Sequence, residues 1–388
     1  MVLGLITSQL YSAIPVVTNV TASQRPDTKL VDISYELADA DGDSCTVRIE
    51  MSDDGGEKYS VPIISISGAI GKNVTPGQKT ATWDAGADWD GNFSDQMKVR
   101  VIATDKKGYR GLEFGDEVKA GSFVMGVTKE QDSYSSGITK SINIPWSYHL
   151  SKNKITTGQY AEFLNNMLIE DLVDVSIDTA DVPNTYGLLK KQTIVVRCNK
   201  GLPSTNKFQG DILYKESTRD NKTYIKYDGR RFYPYYESGD RAIRDITLPG
   251  ALWFAEYYGY DLPTEAEWEK AARGSYNIDG MINSIGAEYT RSRGLPFGNY
   301  PSTENLNSDF HKVFSTEGES SYVIRGAGGE QWSNGSAKNQ WQSRYENSWA
   351  RTPHKYFFYY GTNSTTGEIE GKEFETYRTF RVIRRNLP

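Results

Sequence analysis

The chain has 388 residues and a net charge of −6, with hydrophobic residues at 37% and charged residues at 24%. That length fits two domains, or three, each able to bury a core. The acidic balance argues against a nucleic-acid partner, whose phosphates demand a basic surface, and no apolar run reaches the length of a membrane span, so no membrane insertion is expected. Tyr is abundant at 26 and Trp reaches 8, while His falls to 3. Such a composition favours recognition surfaces over acid–base or metal chemistry. The two cysteines, Cys45 and Cys198, lie far apart in the sequence. They predict two buried free thiols rather than a disulfide framework or a zinc site.

Residues 1–14 form an apolar N-terminal segment. No charged side chain occurs from Met1 to Gln24, and Val2-Leu3-Gly4-Leu5-Ile6 is apolar. Two readings stand: a signal-peptide remnant, which would place the protein outside a bacterial cell or on a bacterial or viral surface, and a docking strand for self-assembly. The missing basic n-region counts against the first. Residues 15–119 read as all-β. Val31, Ile33, Tyr35 and Leu37 alternate with polar neighbours, as do Val47, Ile49 and Met51, and Met97, Val99, Val101 and Ala103. Period-two alternation means one buried and one wet face. The clusters at 39–43, 52–56 and 90–92 supply turns, so an immunoglobulin-like or fibronectin-like sandwich is expected. Asp39, Asp41 and Asp43 are candidate calcium ligands, but they lack EF-hand spacing, and a solvated hairpin turn is the competing reading.

A second domain, 120–388, opens with an apolar run, Gly121-Ser122-Phe123-Val124-Met125-Gly126. Thr156 and Gln159 have the spacing of a capping box, followed by a helical stripe of Tyr160, Phe163, Leu164 and Met167 that reads as core. Residues 168–226 read as loops with short strands. A helix is expected within 243–259, capped by Thr247, with Pro249 in its first turn and Gly259 at its end. The sharpest element is Leu262-Pro263-Thr264-Glu265-Ala266-Glu267-Trp268-Glu269-Lys270-Ala271-Ala272-Arg273-Gly274. Thr264 and Glu267 form a second capping box, and Gly274 is expected to be a left-handed stop. Trp268, Ala271 and Ala272 share the inner face, and Glu269 and Arg273 are expected to pair on the other. Phe380-Arg381-Val382-Ile383-Arg384 reads as a closing strand.

This last helix resembles the signature helix of the sulfatase-modifying-factor family, which includes the formylglycine-generating enzyme. The resemblance extends to the runs at 120–126, 148–165 and 243–259, and Lys154 stands where an acidic residue is usual. It implies an α+β C-type-lectin-like domain. It also implies a copper site built from two cysteines that follow the signature helix, because Cu(I) requires soft thiolates. No cysteine follows Cys198 here. Iron-dependent relatives need three clustered histidines, and His149, His311 and His354 are scattered. The family's Gly-Asn-Val-Trp-Glu-Trp calcium segment has no clean copy. Leu295 to Asn299 resembles the piece before it, and Tyr322 to Gly329 resembles the Arg-Gly-Gly-Ser-Trp strand, with Trp332 standing in for its Trp. No catalytic residue, and so no enzyme, is expected, and no cofactor beyond structural calcium.

What the second domain offers is an aromatic, Asn-rich stretch from 331 to 361. Trp332, Asn334, Trp341, Arg344, Tyr345, Trp349, His354, Tyr356 and Tyr359 are the candidate ligand-binding residues. Rigid aromatics interleaved with short polar groups give contact area at low entropic cost, as in paratopes. Burial in a lectin-like core is the competing reading, and it fits Trp332 and Arg344 best. Diversity-generating retroelements place variable ligand sites in this part of this fold, and the composition is compatible with that. A binding or adhesion protein for a protein or glycan ligand is the expectation. The alternatives are a structural subunit of a surface layer, filament or virion, and an oxidase-like enzyme with a non-cysteine site.

Overall fold

The computed structural model describes residues 14–57, 59–109, 111–126, 139–184, 187–204, 206, 208–216, 224–235, 239–244, 246–279, 287–293, 320–325, 356–362, 369–371 and 378–387. The chain divides into two compact units, Met1–Gly111 with Tyr257–Gly259 and Leu112–Glu256 with Tyr260–Pro388.

In the first unit the alternating runs become strands. In chain order these are β1 (Val16–Gln24), β2 (Leu30–Ala38), β3 (Cys45–Ser52), β4 (Ile66–Gly68), β5 (Gly71–Val74), β6 (Gly77–Asp84), the one-turn helix α1 (Ala85–Asp88) and β7 (Lys98–Thr104). They form two antiparallel sheets, ordered β1-β2-β6-β4 and β5-β3-β7. Ile33, Tyr35 and Leu37 from one sheet share a core with Val47, Met51, Val74 and Val101 from the other, so the two sheets make a sandwich. Trp83 lies in that core, and its indole N–H reaches Asp88 at 2.9 Å. The same carboxylate oxygen accepts from the Ile64 and Ser65 N–H groups at 2.6 and 2.7 Å, which ties the loop before β4 to α1. Each fully buried aliphatic here contributes about 1.5–3 kcal/mol.

The second unit starts before residue 120. Gly115 N–H donates to Leu150 O, and Val118 and Tyr148 exchange two backbone bonds. Its elements are β8 (Gly121–Gly126), β9 (Thr139–Ile144), β10 (Ser147–Leu150), α2 (Thr157–Ile169), β11 (Val173–Asn184), β12 (Gly187–Cys198), β13 (Ile212–Lys215), β14 (Ile225–Tyr227), β15 (Phe232–Pro234), α3 (Leu248–Tyr257), α4 (Glu265–Ala272), β16 (Ala287–Arg293), β17 (Ser320–Arg325), β18 (Tyr356–Thr362), β19 (Ile369–Gly371), β20 (Arg378–Thr379) and β21 (Ile383–Asn386). Its largest sheet runs β19-β18-β17-β16-β20, antiparallel except for the parallel β16–β20 pair. Smaller sheets are β8-β9, β10-β21, β11-β12-β13 and β14-β15. The unit is therefore mostly β with three longer helices among the described residues.

Both capping boxes form. Gln159 N–H donates to Thr156 Oγ1 at 3.2 Å, and Gln159 Oε1 accepts from Thr156 N–H at 2.9 Å. Thr264 and Glu267 do the same at 3.1 and 2.7 Å. Thr247 Oγ1 accepts from Gly250 N–H at 3.1 Å and caps α3. The stripe on α2 is core: Tyr160 and Phe163 meet Phe254 of α3 at 6.1 and 5.4 Å between ring centres, and Phe380 closes the group. A Cβ at position 250 would lie 2.2 Å from Leu213 O, so the start of α3 can approach β13 only through glycine.

Three expectations are corrected. Residues 168–226 hold a hairpin of two twelve-residue strands, β11 and β12, in unbroken register. Val173, Val175 and Ile177 alternate with Asp174, Ser176 and Asp178, so a strand period is present, but Ile177 is exposed and the alternation marks no buried face at 176–179. The closing strand is split. Phe380, Arg381 and Val382 lie buried between β20 and β21, because Arg381 turns inward to a carboxylate rather than joining a ladder. Gly274 is not left-handed. Its Cβ would lie 2.1 Å from the Tyr276 ring, so close packing, not backbone handedness, calls for glycine there.

Candidate functional site

Helix α4 is buried on more than the face its pattern suggests. Glu265, Glu267 and Glu269 are all sequestered, as are Trp268, Ala271 and Ala272. The Glu269–Arg273 pair does form, with Arg273 Nε donating at 2.9 Å, but Glu269 is interior rather than on a wet face. The reason is a second partner: Arg325 of β17, itself buried, ion-pairs with Glu269 and reaches Glu265 at 3.4 Å. Glu269 Oε1 also accepts from Gly126 N–H at 2.7 Å and so fixes the end of β8.

Glu267 closes the capping box with one oxygen and accepts from Trp146 Nε1 at 2.7 Å with the other. Arg385 of β21 grips both oxygens, through Nε at 2.6 Å and Nη2 at 2.7 Å, and its Nη1 reaches Asp261 at 2.6 Å. Burial drives the Glu267 carboxyl up, but Arg385, Thr264 N–H and Trp146 outweigh it and hold the group below the usual carboxylate range.

Glu288 of β16 is the third centre. It receives Arg381 Nε at 2.6 Å and Nη2 at 2.9 Å, and Trp268 Nε1 at 2.9 Å. Lys154 stands 3.7 Å away. Burial again opposes ionisation, and Arg381 and Lys154 overcome it. Arg381 spends its remaining donors on the carbonyls of Ser151, Lys152 and Asp279 at 2.8, 3.2 and 3.0 Å. Desolvation lowers the Lys154 pKa, with Glu288 opposing it. The cation at 154 therefore serves as a counter-ion to Glu288.

The network holds the sheet that carries the sequence-predicted surface. β17 bears Arg325 and pairs with β18, where Tyr356 faces Ile324 and Tyr359 faces Ser321 in register. Trp332, Asn334, Trp341, Arg344, Tyr345, Trp349 and His354 lie outside the described residues, as does His311. His149 packs its Nδ1 against Gly115 O at 3.0 Å.

Both cysteines are free and buried. Burial pushes the Cys198 thiol up to about 11, with help from Asp211, and burial pushes Cys45 up to about 12. They lie in different units. Neither is a ready thiolate. At the acidic turn, Asp39 and Asp41 bring oxygens within 4.8 Å of each other together with Asp105, not Asp43. Lys107 already ion-pairs with Asp41, at 3.1 Å, and with Asp43. The turn itself is closed by Gly42 N–H to Asp39 O at 3.2 Å.

The sulfatase-modifying factor enzyme 1-like domain matches residues 117–363, more than half of the chain. The chain belongs to that family. A comparison with curated proteins returns no match. Helix α4, inside the matched sulfatase-modifying factor domain, ties β8, β17 and β21 to one another. Sequence reasoning saw the helix and missed the hub, since three glutamates in eight residues look like a solvated face. The available signal was outside the helix: Arg325 follows Tyr322-Val323-Ile324, and Arg381 sits between Phe380 and Val382.

Proposed function

We propose that this protein is a non-catalytic binding or adhesion protein. Its family domain, of C-type-lectin-like kind, presents the aromatic loop surface of residues 331–361 to a protein or glycan ligand. The N-terminal sandwich, of immunoglobulin-like kind, acts as a stalk or assembly module, and the working location is a cell or particle surface. One observation carries the reading: the family scaffold is kept, while the chain's last thiol is the buried, protonated Cys198. A fold held by an internal ion network leaves its peripheral loops free to vary without loss of the core. The test is a printed glycan array read with the wild type and with a Trp341→Ala, Trp349→Ala, Tyr359→Ala triple variant. Binding should fall at least about tenfold while the melting temperature shifts by less than about 2 °C, since surface residues contribute little to stability. Loss of binding together with a collapse in melting temperature would show those side chains to be core.

The structural-subunit reading draws on a different observation. β11 is a twelve-residue edge strand, exposed at 176–179, and such an edge is one that another chain can extend. Concentration-dependent assembly in light scattering would favour it over adhesion.

A further inference from the structure

Among the described residues, β11 is the outer strand of the β11-β12-β13 sheet, and the backbone bonds around it show which residues its open edge presents. In an antiparallel pair, alternate residues turn both N–H and C=O to the partner strand, and the others turn them away. Cys198 N–H donates to Asp211 O at 3.0 Å, and Ile194 O accepts from Glu216 N–H at 2.9 Å, so these residues of β12 turn toward the β13 side. They stand opposite Val173 and Ile177 of β11. On the other parity, Asn199 N–H donates to Leu172 O at 3.0 Å. Val173, Val175, Ile177, Thr179 and Asp181 therefore turn their backbone groups to the open edge. Pro183 falls on the same parity, where its missing N–H takes nothing from the β12 ladder and limits the edge that another strand can use.

Ser176, Ile177, Asp178 and Thr179 are exposed on both faces of this strand, Ile177 at 60%. A second β11 can approach the edge antiparallel, about a two-fold axis that matches outward-turned residues to outward-turned residues. Like charges directly opposite destabilise a cross-strand pair, and proline interrupts a ladder. An axis at 176 sets Asp174 against Asp178, and an axis at 178 sets Asp178 against its own copy. Axes from 179 onward bring Pro183 into the ladder, and an axis at 175 leaves only 173–177 to pair. An axis at Ile177 sets Asp174 against Ala180, Ser176 against Asp178, Val175 against Thr179 and Asp181 against Val173. No carboxylate then stands directly opposite another, Ser176 gains an acceptor for its hydroxyl, and the exposed Ile177 meets its own copy.

We propose that β11 is a self-pairing edge, through which two copies of this chain join antiparallel with the two-fold axis at Ile177. The same strand is used on both copies, so the contact is isologous: it closes as a dimer and does not propagate. The occupant is a second copy because β11 is complementary to itself in that register. The dimer rests on the same edge as the structural-subunit reading and names its partner, and it is independent of the surface at 331–361.

Sedimentation of the full chain between about 1 and 500 µM should show a monomer–dimer equilibrium without larger species. Ile177→Lys and Ile177→Glu each set like charges on the axis and should weaken the dimer at least about tenfold, while an equal mixture of the two should regain it. Both variants should melt within about 2 °C of the wild type when dilute, since Ile177 is exposed. The register is read with cysteines. Under oxidised glutathione, a mixture of Ser176→Cys and Asp178→Cys chains should link, because opposed residues of their parity lie about 4.5 Å apart between Cα atoms, within disulfide reach. Either chain alone should link at least about tenfold more slowly, and the buried Cys45 and Cys198 do not compete. A wild type that stays monomeric throughout would overturn the proposal and the structural-subunit reading together, and uptake of an extended lysine-rich peptide by that monomer would assign the edge to a foreign strand. Open-ended growth, dimers indifferent to position 177, or equally fast linking of either cysteine chain alone would overturn the proposal and leave the structural-subunit reading standing.

Discussion

In the first unit the interior is made of Ile33, Tyr35, Leu37, Val47, Met51, Trp83 and Val101, and Glu50 is the buried ionised side chain among the described residues. It is answered by Arg48 and Arg100, each at 3.0 Å. In the second unit Glu265, Glu267, Glu269, Glu288, Arg325 and Arg381 all lie in the interior. The difference follows from what each unit must satisfy. Strands in a sandwich pair their own N–H and C=O groups, so apolar side chains suffice between the sheets. The second unit gathers short strands and irregular segments around an eight-residue helix. The carbonyls of Ser151, Lys152, Leu262 and Asp279 then need donors, and arginine side chains supply them. Each arginine so used needs a carboxylate, and that need places the glutamates inside.

The contrast can be broken most severely at Arg381. Arg381→Met should destabilise the second unit by about 3–5 kcal/mol, the range for orphaning one member of a buried ion pair. Urea unfolding is the readout. Restoring apolar balance with Glu288→Met in the same chain should recover only part of the loss, because the carbonyls of Ser151 and Asp279 still lose the Arg381 donor, while Lys152 O keeps the Asp279 N–H at 2.8 Å. Full recovery would mean that the arginine matters only as a counter-ion.

Acid should separate the units next. Glu267 and Glu288 have folded pKa values below their unfolded ones. Their contribution is therefore complete above the unfolded glutamate pKa of about 4.3 and is lost as pH falls from there toward the lowered folded values. In the first unit Glu50 behaves in the same way, as do Asp88 and the solvent-screened Asp32, Asp41 and Asp90, while Asp39 and Asp105 are pushed up by burial and run in the opposite direction, as Asp211 does in the second unit. Calorimetry between pH 7 and acid should show the transition of the second unit falling earlier and further. Coincident shifts of both transitions would contradict the comparison.

The smallest effects lie at the helix starts. Thr156→Ala should cost about 1 kcal/mol, the usual value of a lost N-cap. Thr264→Ala should cost more, because Glu267 is committed both to the cap and to Arg385. Equal losses in thermal melts would show the cap at α4 to be independent of the hub.

These particulars explain what could be read from the sequence. Ile33, Tyr35 and Leu37 betray their strand because burial and polarity alternate with the pleat. Thr156 with Gln159, and Thr264 with Glu267, betray helix starts because capping is local. Glu269 and Glu265 mislead because their partner, Arg325, lies more than fifty residues away, and no local period encodes a distant ion pair. β11 carries a period-two run in Val173, Val175 and Ile177, but Ile177 is exposed, so there the period follows the pleat without marking a buried face. The hairpin at 224–235 is marked by its Asp228-Gly229 turn, but the runs on either side are too short for an alternation to stand out. Of the candidate binding residues in 331–361, Tyr356 and Tyr359 on β18 are the ones whose register lies among the described residues.

The most direct test of a binding rather than a transforming role is to supply the family's chemistry. The protein is loaded with Cu(I), mixed with a cysteine-containing peptide of sulfatase type under oxygen with a thiol reductant to supply the second electron pair, and the peptide is followed by mass spectrometry. A peptide left as its thiol, or oxidised no faster than by free copper, is the predicted result. Conversion of its cysteine to the aldehyde over many turnovers would contradict the account.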